Sequence, residues 1–97
     1  MIEVQQNTGD KLRLVKFSYA SAPGHTVALA GVFNDWDSGK VLMVYSKDAG
    51  CYCCELPLAP GRYEYKLVVD GEWLLDESNP NFASNDFGTL NSVVTVE

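Results

Sequence analysis

From Arg62 to Val69 apolar and polar positions alternate with a period of two. Tyr63, Tyr65, Leu67 and Val69 are separated by Glu64, Lys66 and Val68, as in a strand with two different faces. Pro60-Gly61 opens the run, and Asp70-Gly71 closes it with the dipeptide that favours a two-residue type I′ hairpin turn. That turn sets a register in which Val69 pairs with Glu72, Val68 with Trp73, Leu67 with Leu74 and Lys66 with Leu75. One face of the hairpin then carries Tyr63, Tyr65, Leu67 and Val69, suited to a core. The other carries Arg62, Glu64, Lys66, Val68 and Trp73, so an indole stands on the outward face with a lysine diagonal to it.

The remaining pattern is also that of short strands. Lys11–Tyr19 alternates Val15, Phe17 and Tyr19 with Leu14, Lys16 and Ser18, and Ala22-Pro23-Gly24 turns the chain. Thr26–Val32 is apolar enough for a buried strand, and it leads through Phe33 into the loop Asn34-Asp35-Trp36-Asp37-Ser38-Gly39, where a tryptophan between two aspartates is not expected to be fully buried. Val41–Ser46, Cys51–Leu56 and Ser92–Val96 complete the strands. Asp76–Asp86 has neither period and reads as a long loop with one apolar tuck at Phe82, and residues 1–10 read as a loose or short leading segment. No window supports a helix. About seven short antiparallel strands separated by turn signals predict an all-β, immunoglobulin-like sandwich, with residues 1–97 as one domain.

Composition narrows the partner. The 97 residues carry a formal net charge of −6, which argues against nucleic acid or an anionic membrane surface, since both are met by Lys and Arg. An uncharged ligand is expected instead. No run approaches the ~18 apolar residues of a membrane helix, and the N-terminus lacks a basic segment followed by an apolar one, so a cytoplasmic protein is expected. Cys51, Cys53 and Cys54 fall within one strand, Cys54 on the side of Tyr52 and Leu56, Cys51 and Cys53 on the other. With His25 the sole histidine and remote, no four-ligand zinc set is assembled. Free thiols are expected, with Cys54 as core filler and no metal or cofactor.

Three segments in order, Gly31-Val-Phe-Asn-Asp-Trp36, the hairpin ending Val69-Asp-Gly-Glu-Trp73, and Phe87-Gly-Thr-Leu-Asn91, resemble the family 48 carbohydrate-binding modules. That family comprises the glycogen-binding domain of the AMP-activated protein kinase beta subunit and the N-terminal domains of isoamylases and branching enzymes. The resemblance covers about Thr26 to Val96 and implies an early-set immunoglobulin-like sandwich that binds α-1,4-linked glucan without catalysis. It also implies a site: Trp36 and Trp73 stacking on glucose rings, Lys66 and Asn91 bonding to hydroxyls, and Thr89 as a further polar contact. The kinase-subunit members have leucine where this chain has Phe87, which leaves Phe87 either entering the ring of a helical glucan or stacking beside it.

Two other readings stand beside this one. The first is a protein-interaction or regulatory module that packs on a glucan-active enzyme or kinase subunit without binding sugar. The second is catalysis: Asp35, Asp37, Asp70, Glu72, Asp76 and Asp86 offer carboxylates, but all lie in turn-rich stretches where Asp serves its own backbone. No nucleophile elbow or triad order accompanies them, so no catalytic residue is expected.

Overall fold

The computed structural model describes residues 2–5 and 12–97, and among these, ten strands account for nearly all regular structure. In chain order they are β1 (Ile2–Gln5), β2 (Arg13–Ala20), β3 (Val27–Gly31), β4 (Val41–Leu42), β5 (Val44–Ser46), β6 (Cys51–Leu58), β7 (Gly61–Val69), β8 (Glu72–Leu74), β9 (Phe82–Ser84) and β10 (Leu90–Val96). One sheet runs β1-β2-β6-β5, the other β4-β3-β7-β10-β9, with β8 attached to β7. The pairings are antiparallel. The single helical piece among the described residues is a 3₁₀ turn, Val32–Asn34.

The alternation in sequence becomes burial at the seam between the sheets. Val15 and Phe17 of β2 and Tyr52 and Leu58 of β6 meet Leu29 of β3, Tyr65 and Leu67 of β7, and Val94 and Val96 of β10 in one core. The Phe17 and Tyr65 rings meet edge-on at 5.2 Å, a favourable aromatic geometry. This is the expected immunoglobulin-like sandwich. Cys54 packs against the same core, and burial pushes its thiol up to about 12. Cys51 and Cys53 share the opposite side of β6 with their sulfurs 3.4 Å apart.

Four expectations need correction. Among the described residues there are ten strands rather than about seven. Val41–Ser46 is not one strand: β4 pairs with β3 and β5 with β6, and the chain changes sheets at buried Met43, whose amide donates to Val27 O. Part of the leading segment is not loose, because β1 pairs with β2 from Ile2↔Phe17 to Gln5↔Leu14. The rest of residues 1–10, and Lys11, lie outside the described residues. Phe82 is not tucked in: it sits on β9, an edge strand paired to β10, and is 57% exposed. The residue that anchors the long connection is Asp76, only 3% exposed, which accepts hydrogen bonds from the Tyr65 hydroxyl (2.7 Å) and from Ser78 Oγ (2.7 Å). Its amide donates to Ser92 Oγ, and Asn79 Nδ2 bonds to both Tyr65 Oη and Val93 O. A buried carboxylate is tolerated because its partners are in place. Burial and the Asp76 carboxylate together raise the Tyr65 phenol well above its ordinary range.

Candidate functional site

The outward face of the second sheet is set by the hairpin. Asp70 and Gly71 have φ of 51° and 84°, the left-handed pair a type I′ turn requires, and the ladder runs Val69↔Glu72, Val68↔Trp73, Leu67↔Leu74 as expected, ending before Leu75. The Asp70 carboxylate fixes this tip to the next strand. It accepts Thr26 N at 2.8 Å and meets His25 Nδ1 at 2.7 Å, and these two contacts, the Thr26 amide foremost, hold it below the usual carboxylate range. Ala28↔Val68↔Trp73 and Ala30↔Lys66 then form rows across β3, β7 and β8. Trp73 is 43% exposed on that face.

Trp36 reaches the same face from the loop after β3. Asn34 is buried and ties the loop to the strand it leaves: its Oδ1 accepts Gly31 N (3.0 Å) and its Nδ2 donates to Leu29 O (2.9 Å). Gly31 is required by close approach, since a Cβ there would lie 2.6 Å from Glu64 O and 2.8 Å from Tyr65 Cβ. Asp35 and Trp36 both take left-handed backbone, φ 55° and 60°, at a cost of about 1–2 kcal/mol each. Trp36 N donates to Gly31 O, which folds the indole back over Ala28, Ala30 and Val68. Two small side chains leave the room that the ring fills.

The third component is the loop between β9 and β10. Asn85 Oδ1 accepts the amides of Phe87 (2.9 Å) and Thr89 (3.1 Å), while its Nδ2 donates to Thr89 Oγ1 (2.7 Å) and Asn91 Oδ1 (3.1 Å). Gly88 supplies the left-handed turn, φ 78°, and Phe87 stands at the tip, 91% exposed. Lys66 Nζ donates to Thr89 Oγ1 at 3.0 Å. Asn91 Nδ2 donates to Glu64 Oε1 at 3.1 Å, and Arg62 pairs with the other oxygen at 3.0 Å. The Asn91 hydrogen bond first, then Arg62, lowers Glu64 below its ordinary range.

These parts enclose an open depression of about 470 Å³, lined by Trp36, Lys66, Trp73, Asn85, Asp86, Phe87, Thr89 and Asn91. All six residues singled out in the sequence lie in it. Asn85 and Asp86 are additional to the six; the local signal for them is Asn85-x-x-Gly88, a turn signature at the end of the long loop. Three aromatic rings and a row of amide, ammonium and hydroxyl groups make a surface for an object with flat apolar faces and polar edges. A second depression, of about 400 Å³, is lined by Tyr19, Ala20 and residues 74–78 and contains none of the expected residues. Among the described residues no three His, Cys, Asp or Glu side chains are placed to hold a metal ion, and no helix is long and apolar enough to cross a membrane.

Residues 14–97 match the family described as the glycogen recognition site of AMP-activated protein kinase. The chain belongs to this family. Its relatives include 5'-AMP-activated protein kinase subunit beta-1 of Sus scrofa, 28% identical over 96 residues, with 99% of this chain and 74% of the relative covered. Protein FLOURY ENDOSPERM 6, chloroplastic, of Oryza sativa is 37% identical over 76 residues, covering 78% of this chain and 14% of the relative. Phosphoglucan phosphatase DSP4, amyloplastic, of Castanea sativa is 28% identical over 89 residues, covering 92% of this chain. The chain spans 24% of that phosphatase. Among solved structures, the maltogenic amylase from S. marinus superposes with a TM-score of 0.80 at 20% identity, over 100% of this chain and 16% of that one, which fixes the fold.

Proposed function

We propose that the chain is a non-catalytic module that binds α-1,4-linked glucan, glycogen, starch or a maltooligosaccharide, through Trp36, Lys66, Trp73, Phe87, Thr89 and Asn91. The observation that carries the proposal is the convergence of two indoles from separate segments on one open depression rimmed by polar side chains. Pyranose rings offer apolar C–H faces to such indoles, which bury large area at small entropic cost, and offer hydroxyls to the rim. The non-catalytic part is supported by what the carboxylates do. Asp70 holds the hairpin, Asp76 is buried in its network, and Asp37 caps Gly39 N at 2.8 Å. Among the described residues that line the depression Asp86 is the lone carboxylate, whereas glycoside hydrolysis uses two about 5–10 Å apart.

Residues 1–97 act in this proposal as one unit serving a glycogen-metabolising enzyme or kinase. Support comes from relatives in which the matched region is a minor part of a longer chain, 14% of the rice protein and 24% of the chestnut phosphatase. The cytoplasmic placement remains part of the proposal; two relatives carry plastid destinations in their names, and fractionation of the host decides between the two compartments. Co-sedimentation tests the function: the chain should pellet with glycogen and amylose and stay in solution with cellulose. The interaction should persist when salt is raised several-fold, because no counterions are released from a neutral ligand. A chain that ignores glycogen and gives no calorimetric heat with β-cyclodextrin is instead a protein-interaction module.

A further inference from the structure

We infer that Asn85 is the positioning residue of this site, the side chain that sets where Phe87, Thr89 and Asn91 stand; the inference rests on the glucan-binding reading above. Phe87 is 91% exposed and has no core packing to hold it, so its place is determined by the backbone turn beneath it. That turn is tied by Asn85 Oδ1, which accepts the amides of Phe87 and Thr89, and by the bonds from Asn85 N to Thr89 O (2.9 Å) and from Gly88 N to Asn85 O (3.3 Å). The other end of the amide acts on the polar rim. Its Nδ2 donates to Thr89 Oγ1 and Asn91 Oδ1. The orientation is fixed by chemistry, since the reverse would aim an NH2 at two backbone N–H groups.

This arrangement assigns a direction to the rim. Thr89 Oγ1 accepts from both Asn85 Nδ2 and Lys66 Nζ, which fills its two acceptor positions and leaves its O–H to donate outward. Asn91 gives one amide hydrogen to Glu64 Oε1 and accepts Asn85 Nδ2 at one lone pair of its oxygen, so its second hydrogen is the donor left for a ligand, beside that oxygen's other lone pair. Thr89 and Asn91 therefore present donors side by side, suited to adjacent sugar hydroxyl oxygens acting as acceptors. Only asparagine supplies both halves in this reach: aspartate keeps the two accepted bonds and loses the two donated ones.

The test combines Asn85→Ala and Asn85→Asp with Phe87→Ala, reading calorimetric affinity for β-cyclodextrin and amide hydrogen exchange without ligand. Phe87→Ala is expected to cost about fivefold in the parent but less than about twofold in the Asn85→Ala background, the coupling expected of residues that act as a unit. Asn85→Ala alone should weaken binding about tenfold, in the range of an interface anchor. It should also speed exchange at the Phe87 and Thr89 amides, leaving Val68 and Trp73 amides slow. Asn85→Asp should keep those two amides slow and retain the Phe87 effect while losing about threefold in affinity for the missing donors. It also serves as the deciding variant if Asn85→Ala does not fold. Additive costs of Asn85→Ala and Phe87→Ala, or Asn85→Asp freeing the Phe87 amide, overturn the role. A parent that binds no β-cyclodextrin overturns the glucan reading and this role together, whereas additivity in a parent that binds overturns this role alone.

Discussion

The two sides of the depression are built by different means. Trp73 and Lys66 stand on β8 and β7, where a ladder of backbone pairs fixes their spacing. Phe87 and Thr89 stand on a loop whose shape depends on the hydrogen bonds of one asparagine. Strand positions are maintained by many cooperative bonds and move little. A loop held by a few bonds opens at lower free energy, so it can adjust to a ligand at the expense of rigidity. In the proposed site, Trp73 and Trp36 then form a platform set by ladder and packing, and Phe87 an arm set by the bonds of one side chain.

The largest effects should come from the platform. Trp73→Ala should cost about 2 kcal/mol or more in glucan affinity, about thirtyfold, because a stacking anchor is lost. Its 43% exposure means little core is lost with it, and the variant should melt within a few degrees of the parent. Trp36→Ala should lose binding similarly but also lower the melting temperature by roughly ten degrees. Its indole is half-buried over Ala28, Ala30 and Val68, and a partly filled cavity there costs about 2 kcal/mol, less than full burial would. Unequal melts with equal binding losses would establish that one tryptophan is held by a ladder and the other by packing. If Trp73→Ala unfolds the chain, Trp73 belongs to the core and the comparison fails.

The difference between ladder and loop also explains what could be read from the sequence. The hairpin was legible down to its register because Asp70-Gly71 and a period of two are local signals, and local signals suffice when pairing partners are adjacent in the chain. The change of sheet at Met43 was not legible. Whether Val41 and Val44 share a sheet is decided by β3 and β6, which lie on either side in sequence. Phe82 was misplaced for a related reason: hydrophobicity predicts burial only where another layer covers the strand, and β9 is an edge. The true anchor, Asp76, is polar, and its burial depends on Tyr65 and Ser92, 11 and 16 residues away. Asn85 looked like one turn residue among many, because nothing local reveals that its Nδ2 reaches two side chains of the site.

A smaller effect comes from the polar group on the ladder side. Lys66→Ala removes one hydrogen-bond donor at a solvent edge and should weaken glucan binding by about 1 kcal/mol, roughly fivefold, with no change in fold. Trp73→Ala should exceed it clearly; equal losses would mean that the polar rim, rather than the indole platform, dominates.

The smallest effect concerns pH. Glu64 has its folded-state proton affinity lowered by Asn91 and Arg62, so its carboxylate favours the folded, rim-ordered state above the ordinary carboxylate range of about 4 and loses that contribution as pH falls through the lowered value. Affinity measured calorimetrically should be flat from neutral pH down to about 5 and decline only in more acid solution. A change centred near neutrality would show that another group controls the rim.

The most direct test of the account is a titration of isotope-labelled protein with maltoheptaose, followed by NMR. Saturable shifts are expected at the indole signals of Trp36 and Trp73 and at the amides of Phe87, Thr89 and Asn91, with the second depression around Tyr19 and Leu74–Ser78 unaffected. Shifts confined to that second depression, or none at saturating sugar, would contradict it.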